Sequence, residues 1–169
     1  MKKILFIMIL TLITTFTIEA SEPNFIIKNT ENQLIHIKDL KQGLLFEEYK
    51  GKAIFLIMFG HNCPPCREEM PELIKLSKEY KDKLAIVAIE VQGYNTSQLA
   101  EFKKNEGINY NLVSGDDNSK FVQHIFQRAK WRGEIPFLIA IDKYGEVKDI
   151  KVGMVPKNIL EGLIDTLTK

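Results

Sequence analysis

Apolar runs and polar breaks alternate along this chain in a regular order. Phe25-Ile26-Ile27 and Leu34-Ile35-His36-Ile37 flank the polar stretch Asn29-Thr30-Glu31-Asn32, which predicts a β-hairpin. Ala53 to Phe59 is apolar throughout, as in a strand buried on both faces. Leu84 to Val91 and Pro136 to Ile141 read as further buried strands, and Tyr110 to Val113 as a short one. From Cys66, the residues Met70, Leu73, Ile74, Ser77 and Tyr80 follow one helical face, with a kink expected at Pro71. Thr96 can cap a helix that reaches Asn105 and stops at Gly107. Asp117 can cap another, with Phe121, Val122, Ile125, Phe126 and Ala129 on one face. Lys143-Tyr144-Gly145-Glu146 turns into Val147 to Val152, and Pro156 opens a last helix carrying Leu160, Leu163, Ile164 and Leu167. Residues 39–52, with Gly43, Gly51 and the apolar patch Leu44-Leu45-Phe46, read as an irregular connection with a helical turn.

Strands that alternate with helices imply an α/β fold, a central sheet with helices on both faces. The chain has 169 residues, room for one domain with a proper core. No repeat or linker divides it. Its 23 basic and 22 acidic residues nearly cancel, which argues against nucleic acid as a partner, because phosphate binding needs clustered positive charge.

The first residues have a different character. Lys2 and Lys3 precede an apolar run from Ile4, which ends near Glu19-Ala20-Ser21. A charged start, a short apolar stretch and a small residue are the parts of a secretory signal. The expectation is a signal peptide over residues 1–20, cleaved after Ala20, and a folded domain over 21–169. The alternative is an uncleaved N-terminal membrane tether. Either way the protein is expected to be exported.

Two cysteines, Cys63 and Cys66, stand three apart between a buried strand and an amphipathic helix. A disulfide between such near neighbours closes a tiny loop and constrains the unfolded chain little, so a purely stabilising role is weak. The context suits redox chemistry instead. At a helix start, residues three apart share a face. Cys63 would sit where free N–H groups and the helix dipole favour a thiolate, and Cys66, one turn in, would resolve a mixed disulfide. Pro64 and Pro65 have no N–H, which leaves mainly the Cys66 amide to stabilise that thiolate. Fewer donors make the reduced form less favoured, so the expectation leans towards a reductant.

The segment from Ile57 to Pro71, Ile-Met-Phe-Gly-His-Asn-Cys-Pro-Pro-Cys-Arg-Glu-Glu-Met-Pro, resembles the TlpA/ResA-like branch of the thioredoxin superfamily. The likeness runs over residues 25–169. It implies a thioredoxin-like central mixed sheet flanked by helices, with an N-terminal β-hairpin and a helix–strand insertion at about 96–114. It also implies an exported thiol–disulfide oxidoreductase that reduces protein disulfides, some of them in cytochrome c maturation, with electrons from a membrane thiol donor. By the same resemblance Ile135–Pro136 should be a cis bond facing the cysteines, where Pro136, Ile135, Pro64 and Pro65 would shape the substrate groove. Glu69 matches the acidic residue of the family's C-x-x-C-x-x-E-x-P pattern. A partly buried carboxyl there has a raised pKa and can take the Cys66 proton. The position of thioredoxin's buried Asp is Ile57 here, which leaves Glu69 as the acid candidate. The chain departs from the pattern at Asn62 and Phe59, where aromatic and tryptophan residues are usual. Its single tryptophan is Trp131.

No cofactor and no metal are expected. Zinc needs about four ligands, and only His61 is close to the pair in sequence. A copper-binding metallochaperone using the cysteines with distant His124 is the reading from another class, and a periplasmic oxidase or isomerase is the alternative within the same chemistry. His61 reads as a surface loop residue, His36 as a strand-face residue and His124 as a helix residue. Gln92 and Tyr94, at a strand end near the site, carry no assigned role.

Overall fold

A computed structural model describes residues 24–169. The expected signal segment, residues 1–20, lies outside the described residues. Two sheets form the frame. An antiparallel sheet comprises β1 (Asn24–Lys28), β2 (Leu34–Leu40) and β3 (Gly43–Phe46), in that order. The second sheet comprises β4 (Ala53–Phe59), β5 (Leu84–Glu90), β6 (Asn111–Ser114), β7 (Phe137–Ile141) and β8 (Val147–Val152). Its order is β6-β5-β4-β7-β8. β4 pairs parallel with β5 and antiparallel with β7, so the sheet is mixed. The helices are α1 (Pro64–Glu79), α2 (Thr96–Asn105), α3 (Ser119–Arg128) and α4 (Lys157–Leu167). This is the thioredoxin-like α/β arrangement, with the N-terminal hairpin and the α2–β6 insertion in place.

The uninterrupted apolar run of β4 has a direct explanation. Ala53, Phe55, Ile57 and Phe59 pack with Cys66, Met70, Leu73 and Leu76 of α1 and with Leu160 and Ile164 of α4. Ile54, Leu56 and Met58 face the other way, onto β1–β3 and onto Phe121 and Ile125 of α3. Side chains of a strand alternate between faces, and both faces are covered, so no position can be polar. β5 obeys the same rule up to Ile89, with Leu84, Ile86 and Ala88 towards α1 and Ala85, Val87 and Ile89 towards the other core, and departs from it at its last residue, the buried Glu90.

Several local expectations change. Residues 43–46 are a strand, not an irregular connection; a single 3-10 turn, Glu47–Tyr49, follows it. β3 is invisible to a period-two reading because Gly43, Leu44 and Phe46 are all buried while only Leu45 is partly open. Gly43 is required there by close approach: a Cβ would come within 2.1 Å of the Gly145 carbonyl oxygen. Helix caps also shift by one residue. Asn95, not Thr96, caps α2, in a reciprocal capping box with Gln98. Asn118 holds the N-cap position of α3, and the Asp117 carboxylate instead accepts from the Thr96 amide and hydroxyl at 2.9 and 2.6 Å. α1 runs through Pro71 without a break. No helix among the described residues is long and apolar enough to cross a membrane.

Candidate active site

β4 ends at Phe59, and α1 begins five residues later, at Pro64. Cys63 is the N-cap of that helix, in extended conformation, and its Sγ accepts the Cys66 N–H at 3.3 Å. An N-cap side chain can take a hydrogen bond from the N2 or N3 amide. Pro65, at N2, has no N–H, so Cys66 at N3 is the donor that remains. The two sulfurs form a disulfide of 2.07 Å. Both cysteines are buried, Cys63 at 5% exposure and Cys66 at 2%, while Pro64 and Pro65 between them are exposed.

The Ile135–Pro136 peptide is cis, and the Ile135 carbonyl oxygen stands 3.9 Å from Cys63 Sγ. The strand β7 begins at the next residue, Phe137, antiparallel to β4, and this register brings the segment to the cysteines. Ile135 is half-buried and Pro136 is buried.

Glu69 lies one turn beyond Cys66. It is 6% exposed, and its Oε1 accepts the Val155 N–H at 2.8 Å. Burial pushes its carboxyl above the ordinary range, against the opposing pull of that hydrogen bond. Cys66, Glu69, Tyr110 and Pro136 border one small cavity under the disulfide, with room for about one water. Burial raises the Tyr110 phenol as well, and the Glu69 charge adds to that rise.

A second buried carboxylate was not singled out by sequence. Glu90 closes β5, fully buried, opposite Phe59 of β4. Its parity puts it on the α1 side of the sheet. Oε1 accepts the Gln92 amide at 2.9 Å and meets His61 Nδ1 at 2.8 Å; Oε2 accepts the Tyr94 amide at 2.9 Å. His61, two residues before Cys63, therefore is no free surface residue. Its ring lies flat on Tyr94, with centroids 3.6 Å apart. Gln92 completes the clasp: its Oε1 accepts the Asn62 N–H at 2.9 Å. The signal that could have found Glu90 is a charge inside an otherwise apolar buried run.

His124 does not approach the cysteines. It sits on α3 against Asp39 of β2 and Phe25 of β1. His36 pairs with Glu48 at the surface. Among the described residues no group of three or more His, Cys, Asp or Glu side chains is placed to hold a metal ion.

Comparison with known proteins agrees with this geometry. Residues 18–150 match the family model described as the AhpC/TSA family. The chain is 30% identical over 149 residues to the thiol-disulfide oxidoreductase ResA of a Bacillus cereus strain, covering 86% of this chain and 76% of that one. It is 29% identical to the thioredoxin-like protein YneN of Bacillus subtilis (strain 168), covering 70% and 67% of the two chains. The crystal structure of a thioredoxin-family thiol:disulfide interchange protein from Chlorobium tepidum TLS superposes with a TM-score of 0.66 at 19% identity, over 88% of this chain and 96% of that one.

Proposed function

The chain belongs to the AhpC/TSA family and is a thiol–disulfide oxidoreductase of the thioredoxin fold, and on that basis we propose that it is exported and reduces protein disulfides through Cys63 and Cys66. The Cys63 thiolate attacks a substrate disulfide. One substrate sulfur leaves as a thiolate, and a mixed disulfide forms. The Cys66 thiolate then attacks Cys63 Sγ, which closes the Cys63–Cys66 disulfide and releases the second substrate sulfur. Two electrons pass to the substrate, whose sulfurs take up protons. Glu69, buried one turn beyond Cys66, receives the Cys66 proton as the resolving thiolate forms. The half-buried Ile135 and the exposed Pro64 and Pro65 border the docking groove, and Pro136 shapes it. A membrane thiol donor returns the electrons.

The observation that carries this reading is the Cys66 N–H aimed at Cys63 Sγ, 3.3 Å away at a helix start. It supports Cys63 as the attacking sulfur, because a helix start stabilises an anion there. Export rests on the residues 1–20 pattern, with the N-terminal tether as its uncleaved form. Substrates in cytochrome c maturation fit an exported reductant of this kind.

Trapping tests the scheme. Full-length Cys66→Ser, expressed in its native compartment, is expected to retain substrate proteins as mixed disulfides through Cys63. The Cys63→Ser/Cys66→Ser protein should retain none. Recovery of no reducible adduct from the first variant overturns the scheme.

A further inference from the structure

Residues 129–136, between α3 and β7, form neither helix nor strand, yet they bring the Ile135 carbonyl oxygen to 3.9 Å from Cys63 Sγ. With no ladder of its own, such a segment keeps its shape through side chains. Trp131, 6% exposed, is placed to hold it. Its Nε1–H donates to the carbonyl oxygen of Glu134, the residue before Ile135, at 2.7 Å. Its ring packs against Phe137, the residue after Pro136, with centroids 5.9 Å apart. One side chain thus grips both ends of the Ile135–Pro136 pair. Phe126 of α3, half exposed, stands edge-on to the same ring at 6.4 Å and backs it. The chain bends to allow this grip, with φ of 53° at Lys130 and 98° at Gly133. A lysine in the left-handed region is disfavoured, so the contacts around it must hold the bend. The Glu134 carboxylate tightens it by accepting the Arg132 N–H at 3.1 Å.

A buried indole N–H needs an acceptor, and many carbonyls would serve. The one it takes belongs to the peptide unit that carries the Ile135 N–H. A trans peptide is planar, with its C=O and N–H pointing in opposite directions. Fixing the Glu134 oxygen on Trp131 therefore points the Ile135 N–H away from Trp131. Among the described residues that N–H has no protein acceptor. A substrate cysteine joined to Cys63 has its Cα within about 7 Å of the Cys63 Cα. Its main chain then lies beside Ile135.

We propose that Trp131 is a positioning residue for substrate: through the Glu134–Ile135 peptide it aims the Ile135 N–H at a main-chain carbonyl of the segment that Cys63 engages. This rests on Cys63 attacking a protein disulfide, as above. The partner is an extended segment around a disulfide cysteine, recognised by its backbone.

The test uses full-length Cys66→Ser, in which Cys63 attacks a disulfide and the adduct stays. Two disulfides are compared. One joins two extended peptides through cysteine; the other, 2-hydroxyethyl disulfide, has no peptide group. Trp131→Phe keeps a ring beside Phe126 and Phe137 but lacks the N–H. Added to Cys66→Ser, it should slow attack on the peptide disulfide about fivefold, the worth of one hydrogen bond. Attack on hydroxyethyl disulfide should be unchanged. A peptide rate that falls no more than the hydroxyethyl rate overturns the proposal. A second measurement needs no Trp131 variant. Trp131 is the only tryptophan, so its indole N–H gives one NMR signal. That signal should move when Cys63 carries the peptide, and stay at its unloaded position when Cys63 carries mercaptoethanol. One common position in the two adducts overturns the proposal. Both adducts form from chosen reagents, so failure to trap a native substrate is a separate result.

Discussion

Glu69 and Val155 are joined by one hydrogen bond, the Val155 N–H donating to Glu69 Oε1 at 2.8 Å across 86 positions of sequence. The bond ties the segment between β8 and α4 to the carboxyl beyond Cys66. It needs only an acceptor oxygen, which an amide side chain also offers.

Glu69→Gln is therefore expected to keep the fold and lose a pH dependence. Burial raises the Glu69 pKa in the folded state, so the folded protein holds a proton that the unfolded chain releases first. The associated stability is complete below the ordinary carboxyl value of 4.5 and is lost as pH rises through the higher folded value. The melting temperature of the wild type should fall across that window, and the variant should lack this component. Thermal melts of both proteins from pH 4 upward, compared as differences, would check it.

The same variant separates proton transfer from packing. Without a carboxylate to receive its proton, Cys66 should resolve the mixed disulfide more slowly, by a factor on the order of 10². Stopped-flow release of a substrate thiol from the Cys63 adduct measures this step. An unchanged release rate would assign Glu69 to structure alone.

Pro65→Ala restores the amide at N2 of α1, where an N-cap side chain can accept a second hydrogen bond. A better-stabilised Cys63 thiolate favours the reduced protein. The midpoint potential should become less negative, by about 30 mV for a tenfold change in the equilibrium. Equilibration with glutathione would read it.

Gly60 and Gly43 make a contrasted pair. A Cβ at Gly60 would meet the Gln92 side chain at 2.2 Å, and that side chain can swing away. Gly60→Ala should cost about 1 kcal/mol, and much less in a Gln92→Ala background. A Cβ at Gly43 would meet the Gly145 carbonyl at 2.1 Å and the Val147 amide at 2.8 Å, both backbone. Nothing there can yield cheaply, and Gly43→Ala should cost about 3 kcal/mol. Urea unfolding of these variants beside their parent proteins gives both differences.

Much of this molecule was legible from its sequence because the signals are local. The runs Ala53–Phe59 and Phe137–Ile141 announce strands covered on both faces. Cys63, Pro64, Pro65 and Cys66 between a strand and a helix announce both the chemistry and the single amide left to serve the thiolate. Glu69 is legible through the resemblance, as the acidic residue of the C-x-x-C-x-x-E-x-P pattern three residues past Cys66. Other features depend on residues far apart in the chain. β3 pairs with β2, and its Gly43 also meets Glu146 of a distant hairpin, a contact that no local pattern encodes. Asn95 caps α2 through its box with Gln98, while Asp117 bonds to Thr96 across 21 residues and Asn118 holds the N-cap position of α3. His61 looked like a loop residue until the pairing of β4 with β5 brought Glu90 beneath it. Sequence determined which elements form and where the dithiol sits. Tertiary structure decided which polar groups meet, because a buried carboxylate takes its donors from whichever strands and loops packing brings to it.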